Sequence, residues 1–165
     1  MDLERVGDTT FVAPSAPEKG IRTFGGQLLA HTLRAAQFTI DSDRFVHSSH
    51  SYFLRPGDVE LETEMEVETI RDGKSFSARQ VVAYQAGKEL FRCILSFQVP
   101  EVGLEWSPPT RFDVPQPDDD LVSYYQFWES QSPDLEGPWH GRNRPMDILY
   151  INPPDGPEGF PITEP

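Results

Sequence analysis

The sequence predicts an α+β fold in which one buried helix lies against an antiparallel sheet, and two patterns carry this prediction. Residues 59–69 alternate between glutamates and residues that suit a buried face, which is the period-two pattern of a half-buried strand. Residues 25–39 repeat apolar side chains at three- and four-residue spacing, as an amphipathic helix does. The chain has 165 residues, of which 37% are apolar, and this suffices for a packed core.

The front and the back of the chain differ in charge and in proline content. Residues 1–99 carry a net charge of −3, whereas residues 100–165 carry −10 and hold 13 of the 16 prolines. We therefore expect a compact domain over residues 1–100 and a proline-rich acidic C-terminal extension. The extension divides into a linker with a short helix (101–144) and the apparent first strand of a second domain (145–165). This unfinished strand favours a partial chain.

Charge and cysteine content exclude several function classes. The net charge of −13 disfavours binding to nucleic acid, whose phosphates would be repelled. No apolar run approaches the roughly 18 residues of a membrane span, so no membrane partner is expected. The first five residues lack the basic-then-apolar pattern of a signal peptide. The single cysteine, Cys93, excludes an internal disulfide and suits a reducing compartment, so we expect a cytoplasmic protein.

Short elements are predicted on either side of the helix. Residues 1–13 suggest an edge strand, and residues 14–20 a loop. After the helix, residues 46–54 suggest a strand with aromatic residues near its end, and residues 55–58, which include Pro and Gly, a turn. In the extension, residues 118–130 suggest a short helix that aspartates cap.

The remainder of the front is predicted to be a three-strand meander. Its strands are residues 59–69, 75–84 and 89–99, and its turns are residues 71–74, of the Asp-Gly hairpin type, and 85–88. One helix cannot cover every face and edge of such a sheet, so a partner domain is expected.

Two chemically suggestive features of the meander have plainer explanations. Phe91, Cys93, Leu95 and Phe97 fall on one face of the last strand, so we interpret Cys93 as a core residue and not as a nucleophile. The glutamates of residues 59–69 are interpreted as a solvated strand face and not as a metal or acid site.

Three segments resemble the acyl-CoA thioesterase II family. They are Arg22–Ala30, which contains Phe24-Gly25-Gly26-Gln27, then His47–Gly57, then Arg71–Arg79 with its continuation to Ser96-Phe97-Gln98. The resemblance covers roughly residues 3–99, and the segment around residues 144–153 is similar to the family's crossing into a second domain. It implies a double hotdog, in which a long central helix is wrapped by an antiparallel sheet. It also implies hydrolysis of acyl-CoA to free fatty acid and CoA, with no metal or other cofactor. The implied partner is a second hotdog domain or another copy of the chain.

The resemblance also places the family's catalytic residues. The family's Asp, Ser or Thr, and Gln position and activate a water, and they belong to the second hotdog. In the first hotdog their degenerate counterparts are Gln37, Ser51 and Gln98. A glutamine at position 37 cannot accept a proton as a base. This half is therefore expected to keep the scaffold and to lose the proton acceptor.

Several residues are candidates for substrate contact. Gly25, Gly26 and Gln27 stand where backbone N–H groups of a helix start can hold a thioester oxygen; the alternative is helix–sheet packing. His50 is a candidate substrate contact or auxiliary base, and the alternative is a hydrogen-bonded structural histidine. Candidates for the CoA phosphates are Arg55 and Arg79, for which the alternative is a surface ion pair.

Two other functions compete with a thioesterase. A non-catalytic hotdog that binds acyl-CoA or serves assembly is the first alternative, and Gln37 favours it. A hotdog hydratase ranks last, because its Asp and His dyad has no matching segment here.

Overall fold

The structure is a computed structural model that describes residues 3–15, 22–109, 120–131 and 147–153. The chain divides into two compact units, Met1–Leu104 and Glu105–Pro165. Within the described residues, no helix is long and apolar enough to cross a membrane.

The first unit is a six-stranded antiparallel sheet with one helix against it. The strand order is β1-β2-β4-β5-β6-β3, so the predicted three-strand meander is confirmed at the middle of the sheet. Strand β3 follows the helix in the chain and pairs with β6. The elements are β1 Glu4–Arg5, β2 Thr10–Ala13, α1 Gly25–Gln37, β3 Phe45–Phe53, β4 Thr63–Asp72, β5 Phe76–Gln85 and β6 Lys88–Gln98.

Helix α1 begins at the predicted residue and ends two residues before the predicted end. Its 13 residues extend about 20 Å, and it packs against β2, β4, β5 and β6. Small residues such as Ala35 and Ala36 are fully buried and let the helix approach the sheet closely. The sheet side of the core includes Phe91, Cys93, Leu95 and Phe97, as predicted.

Strand β4 begins later and ends later than its alternation predicts. Val59 and Leu61 continue the alternating pattern but lie in the loop of residues 54–62, which we call the β3–β4 loop. At its other end β4 includes Asp72, which the sequence assigned to the turn. The hairpin with left-handed residues is the next one along the chain, where Ala86 has φ 47° and Gly87 φ 72°.

A buried arginine fastens the end of α1 to the sheet. Arg79 is 3% exposed and binds Asp72 through both carboxylate oxygens, at 2.8 and 3.1 Å. Its guanidinium also donates to the hydroxyl and the carbonyl oxygen of Thr39, two residues beyond the helix. Burial of this charge is compensated because its donors are paired within the protein.

One edge of the sheet is long and open. Strand β3 pairs with β6 on one side, and within the described residues no strand lies against its other side. Three of its aromatic side chains are more than half exposed, namely Phe45, Tyr52 and Phe53. A nine-residue edge of this kind presents unpaired backbone groups to a partner.

The second unit contains β7 Val122–Ser123, α2 Tyr124–Gln131 and β8 Leu149–Tyr150, with β7 antiparallel to β8. The helix begins later than predicted, at Tyr124, and the predicted capping residues Asp118 and Asp119 lie outside the described residues. Ser123 Oγ accepts from Gln126 N at 3.2 Å and Ser123 N donates to Gln126 Oε1 at 3.0 Å, which is a capping box. Strand β8 lies inside the predicted strand at residues 145–151, whose first two residues lie outside the described residues.

Candidate substrate site at the helix start

The start of α1 offers two free backbone donors. Phe24 is the N-cap residue and supplies no side-chain cap. Its carbonyl oxygen accepts from Gln27 N at 2.9 Å and from Leu28 N at 3.2 Å. Within the part of the chain that the structure describes, the N–H groups of Gly25 and Gly26 have no acceptor. Two free N–H groups at the positive end of a helix can bind a carbonyl oxygen on which negative charge develops.

Aromatic rings lie close to both glycines, so a larger residue at either position would have to displace a ring. A Cβ atom on Gly25 would lie 2.8 Å from Cε1 of Phe53, at the end of β3. A Cβ atom on Gly26 would lie 2.5 Å from Cε1 of Phe24. Aromatic rings therefore stand beside both donors, and they supply the apolar surface that an acyl group needs.

The β3–β4 loop fixes the chain where it enters the helix. Thr23 N donates to Gly57 O at 2.9 Å, and a Cβ atom on Gly57 would lie 2.7 Å from Thr23 Oγ1. The backbone N–H groups of Leu54 and Arg55 both donate to Leu90 O, at 2.8 and 3.1 Å. The entry to α1 is therefore tied to β6 through this loop.

A small cavity lies between this loop and the helix. Its volume is about 20 Å³, and its polar lining includes Thr23, Gln27, His31 and Asp58. Ligand pockets for molecules of drug size occupy about 300–1,000 Å³. This cavity alone is too small for an acyl-CoA, so a substrate at the helix start would need a further wall.

Ser51 lies on the helix side of the sheet. It stands opposite Cys93 in the β3–β6 pair, and its hydroxyl donates to Cys93 Sγ at 3.2 Å. Cys93 is fully buried, and burial raises the pKa of its thiol although the Ser51 hydroxyl acts in the opposite direction. The thiol therefore stays protonated at neutral pH, as expected of a core residue.

Gln37 and Gln98 lie far from the free helix donors. Gln37 is the last residue of α1, about 18 Å along the helix from Gly25. Gln98 stands opposite Phe45 and Phe76, on the face of the sheet that points away from the helix, and it donates to Glu101 at 3.2 Å. Within this chain the structure does not bring Gln37, Ser51 and Gln98 together around the helix start.

His50 also points away from the helix. It stands opposite the exposed Ile94, and its ring packs edge-on against Tyr52 with centroids 5.0 Å apart. On the same face His47 is 2.8 Å from Ser96 Oγ. The structure therefore separates His50 from Gly25 and Gly26 by the thickness of the sheet.

The two candidate arginines differ. Arg55 lies in the β3–β4 loop, is exposed, and donates from Nη1 to Glu89 O at 2.6 Å. It is available to an anionic ligand at the same end of the molecule as the helix start. The prediction that Arg79 contacts a phosphate is wrong, because its guanidinium is buried and paired with Asp72 and Thr39. Arg79 does form the ion pair that was the alternative, but it is buried, and its partner is the carboxylate of Asp72.

Sequence reasoning missed Phe53, Gly57 and Gln85 at this site. The ring of Phe53 lies over Gly25, and Gly57 leaves room for the side chain of Thr23. Gln85 binds the β3–β4 loop. The glycine in the Arg-Pro-Gly turn was the one local signal, since a glycine often permits a close approach. In the described part of the chain, no group of three or more metal-ligating side chains occurs.

The fold is shared with solved thioesterases. An acyl-CoA thioesterase II from Mycobacterium marinum superposes with a TM-score of 0.62 and is 36% identical, over 78% of this chain and 47% of that one. A thioesterase from Streptococcus pneumoniae solved with coenzyme A matches at 15% identity and a TM-score of 0.52, over 59% of this chain and 86% of that one, which concerns the fold alone.

The family follows from the sequence match. The model of the acyl-CoA thioesterase N-terminal domain matches residues 12–98, and the chain belongs to this family. Acyl-CoA thioesterase 2 of Haemophilus influenzae is 41% identical over 64% of this chain and 37% of its own length. Acyl-coenzyme A thioesterase 8 of Mus musculus is 37% identical over 81% of this chain and 44% of its own length. The chain thus spans less than half the length of these curated relatives.

Proposed function

We propose that this chain is the N-terminal half of a double-hotdog acyl-CoA thioesterase and that it is not catalytic by itself. In this proposal α1 is the central helix of the first hotdog, and residues beyond 105 lead into the second. The reaction is hydrolysis: a water oxygen gives up a proton and bonds to the thioester carbon, and the carbon–sulfur bond breaks. The sulfur takes up a proton and leaves as the CoA thiol, while the acyl group leaves as the free fatty acid.

The separation of Gln37, Ser51 and Gln98 is the observation that carries the non-catalytic part of the proposal. A positioned base contributes about 10²- to 10⁴-fold to a hydrolysis, and it must reach the attacking water. Position 37 holds an amide, which has no such capacity. The catalytic carboxylate then belongs to the second hotdog or to a partner.

The helix start supports a substrate-binding role for this half. The free N–H groups of Gly25 and Gly26 suit the thioester oxygen, and the ring of Phe53 suits the acyl group. Arg55 is an exposed cation in the β3–β4 loop and suits a CoA phosphate.

The open edge of β3 supports the partner part of the proposal. A second hotdog, or another copy of the chain, would pair with this nine-residue edge and bury its exposed aromatic side chains. Such a partner would also supply the missing wall of the substrate site. A cytoplasmic location belongs to the same proposal.

The alternative is a non-catalytic module for acyl-CoA binding or assembly. It is favoured by the amide at position 37 and by the absence of a carboxylate from the predicted triad positions. It differs from the first proposal in that no second hotdog completes a catalytic site.

The test is a CoA-release assay on a panel of acyl-CoAs, run with the 165-residue chain and with its Gln37→Asp variant. Gln37→Asn is the matched control, because it has the size of aspartate without the charge. We expect no turnover by the unmodified chain, together with retained acyl-CoA binding in a calorimetric titration. Because Gln37 lies about 18 Å from Gly25, we expect no turnover by either variant at the helix start of the same chain. Turnover in Gln37→Asp but not in Gln37→Asn would show that position 37 is the lost base of a site shared with another copy.

Two results would overturn the proposal. Clear turnover by the unmodified chain would show that copies of this chain complete a catalytic site. Failure to bind any acyl-CoA of the panel would remove the substrate-binding role.

A further inference from the structure

We propose that Gln85 is a positioning residue for the substrate site, because it holds the β3–β4 loop that fixes the start of α1. The inference rests on the proposed function only in calling the helix start a substrate site. The effect of Gln85 on the position of the loop and of the helix start concerns the protein without substrate, and it is tested separately.

Gln85 binds the loop with both ends of its amide. Its Oε1 accepts from Asp58 N at 2.8 Å. Its Nε2 donates to Asp58 O at 2.8 Å, to Leu61 O at 3.1 Å and to Thr63 Oγ1 at 3.1 Å. The two N–H hydrogens thus serve three acceptors, and the side chain is 5% exposed.

The Gln85 side chain pairs with the loop backbone in the way that a neighbouring strand pairs with a strand. Asp58 exchanges two hydrogen bonds with the amide, as residues of paired strands exchange two with each other. A leucine at position 85 would leave the part-buried Asp58 N–H and several acceptors without these partners. A glutamate at position 85 would place a carboxylate oxygen against these oxygen atoms and would have no N–H group to donate to them.

The loop passes this constraint to the helix start. Gly57, next to Asp58, accepts from Thr23 N and seats the Thr23 side chain. Thr23 is followed by the N-cap residue Phe24 and then by the two free N–H groups. The loop residues that Gln85 binds also form one wall of the cavity beside Gln27. A shift of the loop therefore moves the donors and the cavity wall together.

The other end of the helix has its own fastening. Arg79 binds Thr39 there, about 20 Å away along the helix. Loss of Gln85 should therefore affect the helix start and leave the helix end in place, which a general loss of stability would not do.

The experiment compares Gln85→Leu with Gln80→Leu in the full chain. Gln80 lies on the same strand and donates to the exposed Glu68 at 2.8 Å, so it is a matched glutamine without the loop contact. The probes are a non-hydrolysable acyl-CoA thioether for affinity, and the amide NMR signals and hydrogen exchange of Gly25, Gly26 and Thr39. We expect Gln85→Leu to shift the two glycine signals and to weaken binding by at least about tenfold, as loss of a buried hydrogen-bond network would. Thr39 should stay unchanged, and Gln80→Leu should resemble the unmodified protein.

Thr63→Val provides a milder test, because it removes one of the three acceptors. It should shift the same glycine signals by a smaller amount, and it decides the question if Gln85→Leu does not fold. A variant that loses thermal stability while the Gly25 and Gly26 signals and the affinity stay unchanged would overturn the inference. If the unmodified chain binds no thioether, the proposed function fails, whereas the glycine signals of the free chain still decide the role of Gln85.

Discussion

The ring of Phe53 lies so close to Gly25 that a Cβ atom at position 25 would be 2.8 Å from its Cε1 atom. Phe53 also packs edge-on against the buried Phe91, with ring centroids 4.8 Å apart. Phe53 at the end of β3 thus lies against both Gly25 at the start of α1 and Phe91 in the core of β6. This packing helps to fix the position of the Gly25 N–H group.

Gly25→Ala should therefore destabilise the protein. The new methyl group must push the Phe53 ring off Phe91, and overpacking of this kind costs about 1–3 kcal/mol. Alanine returns up to about 1 kcal/mol as a better helix former, so we expect a net loss of about 1 kcal/mol in the free energy of unfolding. Urea unfolding measures it. Gly103→Ala is the control, because a Cβ atom there meets nothing within 4 Å. Equal stability of the two variants would show that the Phe53 ring moves aside without cost.

In the turn between β5 and β6, one substitution should increase the stability of the protein. Ala86 has φ 47° and Gly87 φ 72°, and a left-handed alanine costs about 1–2 kcal/mol. Ala86→Asn would make the Asn-Gly pair that such two-residue hairpins favour, so we expect a gain of about 0.5–1 kcal/mol. Gly87→Ala should cost about 1 kcal/mol from the backbone alone, because its side is open. Thermal unfolding of both variants tests the pair, and a loss of stability in Ala86→Asn would contradict the backbone explanation.

The Arg79–Asp72 pair should make stability depend on pH at the acid side. Hydrogen bonds from Arg79 and Ser77 lower the pKa of Asp72 in the folded state below its usual value of about 4. A lowered pKa means that the carboxylate stabilises the fold above about pH 4 and that this contribution is lost as the pH falls through the folded pKa. The effect should be modest, because the Asp72 side chain is 55% exposed.

Urea midpoints at several pH values between 7 and 3 would check this. Asp72→Asn should be less stable than the unmodified protein at neutral pH, and the difference should shrink toward the acid end. Asp8→Asn, at an exposed aspartate, is the control. A difference that stays constant with pH would show that the Arg79 contact does not depend on the charge of residue 72.

Periodicity predicted the regular part of this fold because it is a local signal. Helix α1 and strands β5 and β6 were placed within two residues, since each has one buried face along its whole length. The start of β4 was misplaced because Val59 and Leu61 keep the alternation, while the side chain of Gln85 binds the backbone of Asp58 and Leu61. That contact joins residues far apart in the chain, and no local pattern contains it.

The candidate site was predictable only in part for a related reason. The Gly-Gly pair at the helix start was visible as a motif, and among the described residues neither N–H group has an acceptor. The face of His50 was not visible, because the register of β3 against β6 shifts between Val46 and Ser48. The face of Gln98 followed from the alternation of β6, in which it comes directly after the buried Phe97. Charge pattern alone also could not show that Arg79 is buried, since its partners Asp72 and Thr39 meet it only in the folded chain.

The open edge of β3 should govern assembly. Ser49 is exposed on this edge, and lysine on an edge strand opposes pairing with another strand. If copies of the chain pair through β3, Ser49→Lys should shift the protein toward the monomer in sedimentation velocity runs over a range of concentrations. Ser42→Lys, at an exposed serine in the turn before β3, makes the same change of charge and should assemble like the unmodified chain.

The outcomes separate the two partners that the edge could accept. An assembled protein that Ser49→Lys dissociates would place a second copy on β3. Assembly that survives Ser49→Lys would place the contact between copies elsewhere. A monomer at all concentrations would leave β3 open in this chain, and its exposed Phe45, Tyr52 and Phe53 would then require the second hotdog to cover them.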